Sequence, residues 1–337
     1  MNKIVVTGAT SMIGIALIKA CLMRKIKVVA LVRRGSKRLE RLPDSDLIEV
    51  VYCGLEDMKS YEPVLADADV FYHFSWASTS KSGGRFDAEA QEPNIRYTLA
   101  AVHLAKRFGC KKFVGAGSQA EYGLSDKPLT KETPIRPYMA YGVAKYAAGR
   151  LAEMLCASLG MDFVWGRILS VYGPHDNENT LIRYIVESFM ENKQPELTPG
   201  EQIWDYLYED DAGEAFLALG ESSQAKGIYN VGSGVGKLLK SFVADIQAVT
   251  KSKVPAALGA RPYGKNQVMF LQADITSLTN DTGWKPRISF TEGIQNIVND
   301  IRGHRGGDIC PLLILGRRFT TDIDLIFVQD EGYESCG

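Results

Sequence analysis

No metal-binding rhythm, no charge excess and no long apolar run stands out in this 337-residue chain, and each absence removes a class of protein. Six cysteines, Cys21, Cys53, Cys110, Cys156, Cys310 and Cys336, are scattered without a CxxC pair, which spells out neither a zinc site nor a disulfide framework. They are expected to be reduced thiols, and no bound metal is expected. The 39 lysines and arginines against 40 aspartates and glutamates exclude a whole-chain field for nucleic acid polymers or anionic membranes. Any anionic ligand must be met by a local cluster. There is no run of about 18 apolar residues to span a bilayer, and residues 3–7 form a strand-like run rather than the start of a secretory leader. A cytoplasmic protein with no membrane partner is expected.

What is present is a core-building chain, 45% hydrophobic. Short β-branched or aromatic runs at 4–7, 28–32, 48–53, 70–75, 112–117 and 162–169 alternate with helix-like stretches at 12–24, 57–66, 87–109 and 139–159. That alternation predicts an α/β protein, a Rossmann-type doubly wound parallel sheet with a smaller C-terminal substrate lobe. The expected division is a dinucleotide-binding domain over 1–169, with 209–226 returning to it. The substrate lobe is assigned to 170–208 and 227–302. The tail 303–337, with strand-like runs at 311–315 and 323–328, has no assigned role.

The first strand runs into Thr7-Gly8-Ala9-Thr10-Ser11-Met12-Ile13-Gly14 and then an amphipathic helix. A glycine there permits a sharp turn, and the helix N-terminus offers N–H groups and a positive dipole end to a pyrophosphate. Gly14 lets the helix pack close to the sheet. At the end of the second strand no acid appears; Arg33-Arg34-Gly35-Ser36-Lys37-Arg38 follows instead. An acid at that point accepts the ribose hydroxyls of NAD, whereas a donor-rich basic loop suits a 2′-phosphate. The cofactor is therefore expected to be NADP(H) rather than NAD, with Arg33 and then Arg34 at its phosphate.

Tyr141 and Lys145 lie one turn apart on a predicted helix, and Ser118 ends the fifth predicted strand, where open α/β sheets bind ligands. A neighbouring ammonium lowers a tyrosine pKa. Tyr141 is then expected to give a proton to a ketone oxygen as the carbon takes hydride, with Ser118 holding that oxygen and Lys145 supplying the tuning charge.

Over roughly residues 3–300 these motifs resemble the extended short-chain dehydrogenases/reductases, with Ser11 standing where the family's middle glycine falls. The resemblance implies that Gly8, Thr10, Ser11, Met12, Ile13 and Gly14 hold the cofactor together with Leu55, Phe74, Lys145 and Leu169, and that Asn94 supports a proton-relay water. Gly54 replaces a frequent adenine-contacting aspartate. The segments Val171-Tyr172-Gly173-Pro174, Tyr229-Asn230-Val231-Gly232-Ser233-Gly234 and Gly283-Trp284-Lys285-Pro286 are similar to those of members acting on nucleotide sugars. Ser118, Gln119, Tyr141, Ser170, Arg183, Trp204 and Arg261 are the substrate-binding candidates, Arg183 and Arg261 toward phosphates. Trp204 and Ser170 replace a frequent arginine and asparagine.

Gln119-Ala120 after Ser118 lacks the Asp-Glu pair of the 4,6-dehydratases and the cysteine of the C3/C5 epimerase-reductases. Two enzyme readings remain: NADPH-dependent reduction of a 4-keto-6-deoxy nucleotide sugar, and 4-epimerisation with retained NAD. A non-catalytic NADP(H)-binding regulatory protein is the third. The resemblance also implies a homodimer formed through the helices at 87–109 and 139–159.

Overall fold

The computed structural model describes residues 1–79, 84–264 and 266–306. The expected strands at 311–315 and 323–328, Cys310 and Cys336 lie outside the described residues. Among the described residues Cys21, Cys53, Cys110 and Cys156 are free and buried, and no helix is long and apolar enough to cross a membrane.

Six strands, β1 (Lys3–Thr7), β2 (Lys27–Val32), β3 (Ile48–Tyr52), β4 (Val70–His73), β5 (Lys112–Ser118) and β6 (Asp162–Ile168), are joined by a seventh, Gly227–Val231. They form one parallel sheet in the order β3-β2-β1-β4-β5-β6 followed by Gly227–Val231. Strands buried on both faces must be apolar at consecutive positions rather than alternate ones, as Ile4, Val5 and Val6 are. Ile4 and Val6 join a core under α1 (Met12–Met23) and α5 (Glu209–Glu221). Val5, Phe71 and Phe113 join the opposite core under α2 (Ala88–Arg107) and α3 (Ala140–Ser158). Each such fully buried aliphatic side chain contributes about 1.5–3 kcal/mol, so the sheet is held from both sides: a doubly wound Rossmann-type α/β fold.

A smaller lobe gathers α4 (Leu181–Met190), α6 (Leu239–Thr250) and α7 (Phe290–Gly306) around Tyr172, Ile185, Phe189 and Ile297. Two motifs act as struts. Asp205, fully buried, accepts hydrogen bonds from Ser233 N–H (2.7 Å), Gly234 N–H (3.0 Å) and Ala273 N–H (3.0 Å). Asp211 at the start of α5 accepts from Arg287 N–H (3.0 Å) and Ile288 N–H (2.8 Å), tying down the segment after Trp284.

Two expectations are corrected. Residues 57–66 form no helix, only a single 3₁₀ turn over Asp57–Lys59. Pro63 lacks a backbone donor and disfavours helical backbone in the residue before it, so the turn does not propagate. Residues 227–231, expected in the substrate lobe, pair with β6 as the outer strand of the main sheet. A five-residue run carries the same local pattern in either lobe, and its pairing is set by partners distant in sequence.

The β1–α1 turn is the tightest point. Gly8 has φ +69°, and a Cβ there would lie 2.9 Å from the Phe74 carbonyl carbon and the Ser75 nitrogen. A Cβ on Gly14 would drive into the Gly8 carbonyl. Gly14→Ala is expected to cost about 1–3 kcal/mol by overpacking and to weaken dinucleotide binding. An unchanged denaturation midpoint with unchanged binding would count against this contact.

Candidate active site

Order in the sheet reverses between β1 and β4, and ligands of open α/β sheets bind outside the carboxyl ends of the strands at such a point. Every strand end there delivers a predicted residue. After β1, Ser11 (φ −79°, ψ 162°) caps α1, its hydroxyl accepting from Gly14 N–H at 3.1 Å. Those angles suit any L-residue, so serine in the glycine position leaves the turn unstrained. Thr10, Met12 and Ile13 complete the turn. First-turn N–H groups have no partner within a helix, so this turn, drawn tight against its own backbone and the loop after β4 by Gly8 and Gly14, fits a pyrophosphate.

At the end of β2, Arg33 and Arg34 are exposed. Arg34 lies over the Tyr52 ring at 5.6 Å, and a Cβ on Gly54 after β3 would lie 3.3 Å from the Asp57 carboxylate and 3.6 Å from the Arg33 Cβ. The Asp57 carboxylate turns back to accept Gly54 N–H at 2.8 Å. Further along this loop Arg38 donates to Asn177 (3.2 Å) and Arg41 to the His175 carbonyl (3.1 Å), lacing the basic loop to the segment after Pro174. Leu55 packs against the core holding α2 and α3. Phe74, after β4, packs on Phe216 with ring centroids 4.9 Å apart, and Leu169, after β6, donates its N–H to Val231.

Ser118 ends β5 and begins a 3₁₀ turn, Gln119–Glu121. Its hydroxyl accepts from Ala120 N–H at 3.2 Å and faces the Tyr141 hydroxyl, whose ionised form it favours. Tyr141 opens α3, its N–H donating to the Arg85 carbonyl (2.9 Å), with the Arg85 guanidinium 5.1 Å from its ring centroid. Lys145, one turn on, is buried; its Nζ donates to the Ala116 carbonyl at 2.7 Å and sits 3.7 Å over the Trp76 ring. The structure thus brings Ser118, Tyr141 and Lys145 together. Asn94 is buried beside them, accepting Ala77 N–H at 2.8 Å and donating back to the Ala77 carbonyl at 3.2 Å, so its amide pins the loop after β4.

The electrostatics differ from the expected tuning. Burial pushes the Tyr141 hydroxyl up, and what opposes it is first Arg85 and then the Ser118 hydrogen bond. Lys145 is itself brought down to about 7 by burial and by Arg85, with Glu121 acting the other way. A buried amine loses hydration that favours its charge, so Lys145, 5.8 Å from the Tyr141 ring centroid, is protonated less readily than a solvated lysine. His73, fully buried at the end of β4, is held down to about 3 by burial and by Lys145, and stays neutral.

The substrate-side candidates are dispersed. Gln119 is half-buried next to Ser118. Ser170 and Trp204 satisfy each other, the indole N–H donating to the Ser170 hydroxyl at 2.8 Å in a buried pair. Arg183 faces Glu187 (2.6 Å) and Asp300 (3.8 Å), and Arg261 faces Glu196 (3.6 Å), so both guanidinium charges are already countered. Sequence reasoning missed Trp76, Arg85, Glu121 and Arg167. Glu121 alone carried a local signal, the Ser-x-x-Glu spacing of a capping box. The others reach the site by the paths of loops and by register across the sheet.

A switch-point cradle with serine, tyrosine and lysine converging beside it defines a dinucleotide-binding protein of the extended short-chain dehydrogenase/reductase type. The chain belongs to the NAD dependent epimerase/dehydratase family, whose profile matches residues 4–232. It is 27% identical over 305 residues to the CDP-abequose synthase of Salmonella typhimurium, covering 88% of this chain and 97% of that one. It is 24% identical over 318 residues to the dTDP-4-dehydro-6-deoxyglucose reductase of Escherichia coli, covering 89% and 98%. Among solved structures, a UDP-N-acetylglucosamine 4-epimerase from Methanobrevibacter ruminantium, in complex with UDP-N-acetylmuramic acid, shares the fold with a TM-score of 0.80. Its identity is 23%, over 90% of this chain and 99% of that one. A UDP-glucose 4-epimerase from Thermotoga maritima, with UDP-glucose, has a TM-score of 0.79 at 22% identity, over 90% and 99%.

Proposed function

We propose that the protein is an NADPH-dependent reductase of a 4-keto-6-deoxy nucleotide sugar. The observation that carries this reading is the Ser118–Tyr141–Lys145 cluster at the carboxyl edge of the sheet, combined with an acid-free β2 end that presents Arg33 and Arg34. The Escherichia coli relative bears the name of a reductase of such a sugar, and the Salmonella relative that of a CDP-sugar synthase.

A reduced nicotinamide dinucleotide held at the Gly8–Gly14 turn supplies hydride. The chain's own groups handle the proton and the oxygen. Burial keeps the Tyr141 hydroxyl protonated at neutral pH, which suits it to donate to a ketone oxygen as negative charge develops there. Because Ser118 Oγ already accepts from Ala120 N–H, its own proton is free to be donated toward that oxygen, an oxyanion-type contact. Lys145 in its ammonium form adds a positive field behind Tyr141. Trp204 and Ser170 contribute a neutral wall to the substrate side, so recognition there rests on shape and hydrogen bonding rather than on charge.

In this reading the protein works in the cytoplasm as a homodimer through α2 and α3. Val143, Leu151 and Met154 leave an apolar strip on α3 that is 51%, 43% and 66% exposed.

The test is NADPH oxidation by the purified protein on a panel of CDP-, dTDP-, GDP- and UDP-linked 4-keto-6-deoxy sugars, with NADH in parallel. Turnover with NADPH on at least one of them is expected. Copurified NAD with sugar interconversion and no net reductant use would replace this reading by 4-epimerisation. Binding of NADP(H) with no turnover on the panel would replace it by a regulatory protein.

A further inference from the structure

We propose that Glu121 is a positioning residue for the reaction: its buried carboxylate fixes the turn that aims Ser118 by tying the serine backbone to Trp165 and Arg167 of β6. One Glu121 oxygen, Oε1, accepts Ser118 N–H and Trp165 Nε1–H, each at 2.9 Å; the other, Oε2, accepts Arg167 Nε–H at 2.7 Å. Glu121 and Arg167 are 0% and 1% exposed, and the guanidinium lies 4.4 Å from the Tyr122 ring centroid. Tyr122 in turn donates to Asn230 at 2.7 Å, and Asn230 donates to the Leu129 carbonyl at 2.6 Å. The turn that aims Ser118 is thereby anchored through one carboxylate to β6 and to the outer strand.

The capping box explains the aim. With Ser118 N–H held by Glu121 and Ser118 Oγ accepting Ala120 N–H, the hydroxyl proton is left to be donated toward Tyr141 or a substrate oxygen. The carboxylate also acts on Lys145. That ammonium meets the Trp76 and Trp165 rings, the Ala116 carbonyl, the phenol of Tyr141 on its own helix, the positive Arg85 before α2 and the neutral His73 at the end of β4. Burial and Arg85 disfavour its charge, and Glu121 favours it. Arg167, from β6, is bonded to Glu121 and so offsets part of that effect. A carboxylate buried with an arginine partner alone would be a structural strut; one that also holds the serine backbone sets where the Ser118 hydroxyl points.

This inference rests on the ketoreductase reading, yet its amide and titration readouts need no substrate. Lys145 is titrated by NMR of ¹³C-labelled lysine in the full-length protein, assigned with Lys145→Arg, and compared in Glu121→Gln and Glu121→Asp. The wild-type midpoint is expected at about 7. E121Q is expected to lower it by about one unit or more, the usual reach of a nearby charge, and to shift the pH profile of kcat/KM the same way. E121D retains the charge on a shorter arm. It is expected to keep the Lys145 midpoint while displacing the Ser118 amide resonance and lowering kcat more than it changes KM. A folded E121Q with the Ser118 amide resonance at its wild-type position and an unchanged kcat overturns the proposal. Should E121Q fail to fold, E121D decides: a Ser118 amide at its wild-type position overturns it. Absence of turnover on the keto-sugar panel would defeat the ketoreductase reading and leave these titrations standing.

Discussion

Tyr141→Phe is expected to reduce turnover of a keto-sugar nucleotide by about 10²–10⁴-fold, the usual contribution of a positioned proton donor, with NADPH affinity unchanged. The substitution removes one oxygen and nothing else: the ring keeps its edge contact with Trp76 (centroids 6.0 Å apart) and its place beneath Arg85. The backbone bond to the Arg85 carbonyl also persists, since it uses Tyr141 N–H. A loss in kcat with little change in KM is the pattern of an interaction made only in the transition state. The pH dependence has a definite sign. Tyr141 is raised by burial and stays protonated across the neutral range, so it does not limit reduction there. Lys145 loses its proton at about 7 in the free protein, and kcat/KM, which reports free-enzyme groups, is expected to fall as pH rises through that value. A flat profile between pH 6 and 9, or full activity in Tyr141→Phe, would remove these two residues from the chemistry.

Replacing Arg33 and Arg34 together by alanine is expected to weaken NADPH by about tenfold to a hundredfold while leaving NADH within about threefold. A charge-assisted bond to phosphate is worth about 1.5–3 kcal/mol, reduced here because both side chains are exposed and screened. Arg34 is preorganised by its position over Tyr52. Arg38 and Arg41 are engaged by Asn177 and His175, which is why the test targets Arg33 and Arg34. Titration of each dinucleotide by tryptophan fluorescence, at two salt concentrations, checks this. The NADPH loss should shrink as salt rises, because the lost attraction is coulombic. Equal weakening of both dinucleotides would mean that the loop supports the fold of the cleft and does not read the 2′-phosphate.

Local pattern determined a great deal. Continuous apolar runs such as Ile4-Val5-Val6 need cover on both faces, so alternation with amphipathic helices was enough to specify a doubly wound sheet. Gly8, Gly14, Ser118, Tyr141 and Lys145 were legible because a strand end or a helix turn dictates where each one points. The absent helix at 57–66 was also written locally, in Pro63, and was overlooked. What only the tertiary structure decided depends on partners far apart in the chain. The strand 227–231 joins the main sheet because β6 offers it an edge. Arg183 and Arg261 are countered by carboxylates, two of them on other elements. Tyr141 takes its nearest cation from Arg85, 56 positions upstream by residue number, and not from Lys145 on its own helix. Periodicity and turn chemistry record which way a residue faces within its own element, whereas charge and solvation depend on everything packed around it, and that is settled only when the elements assemble.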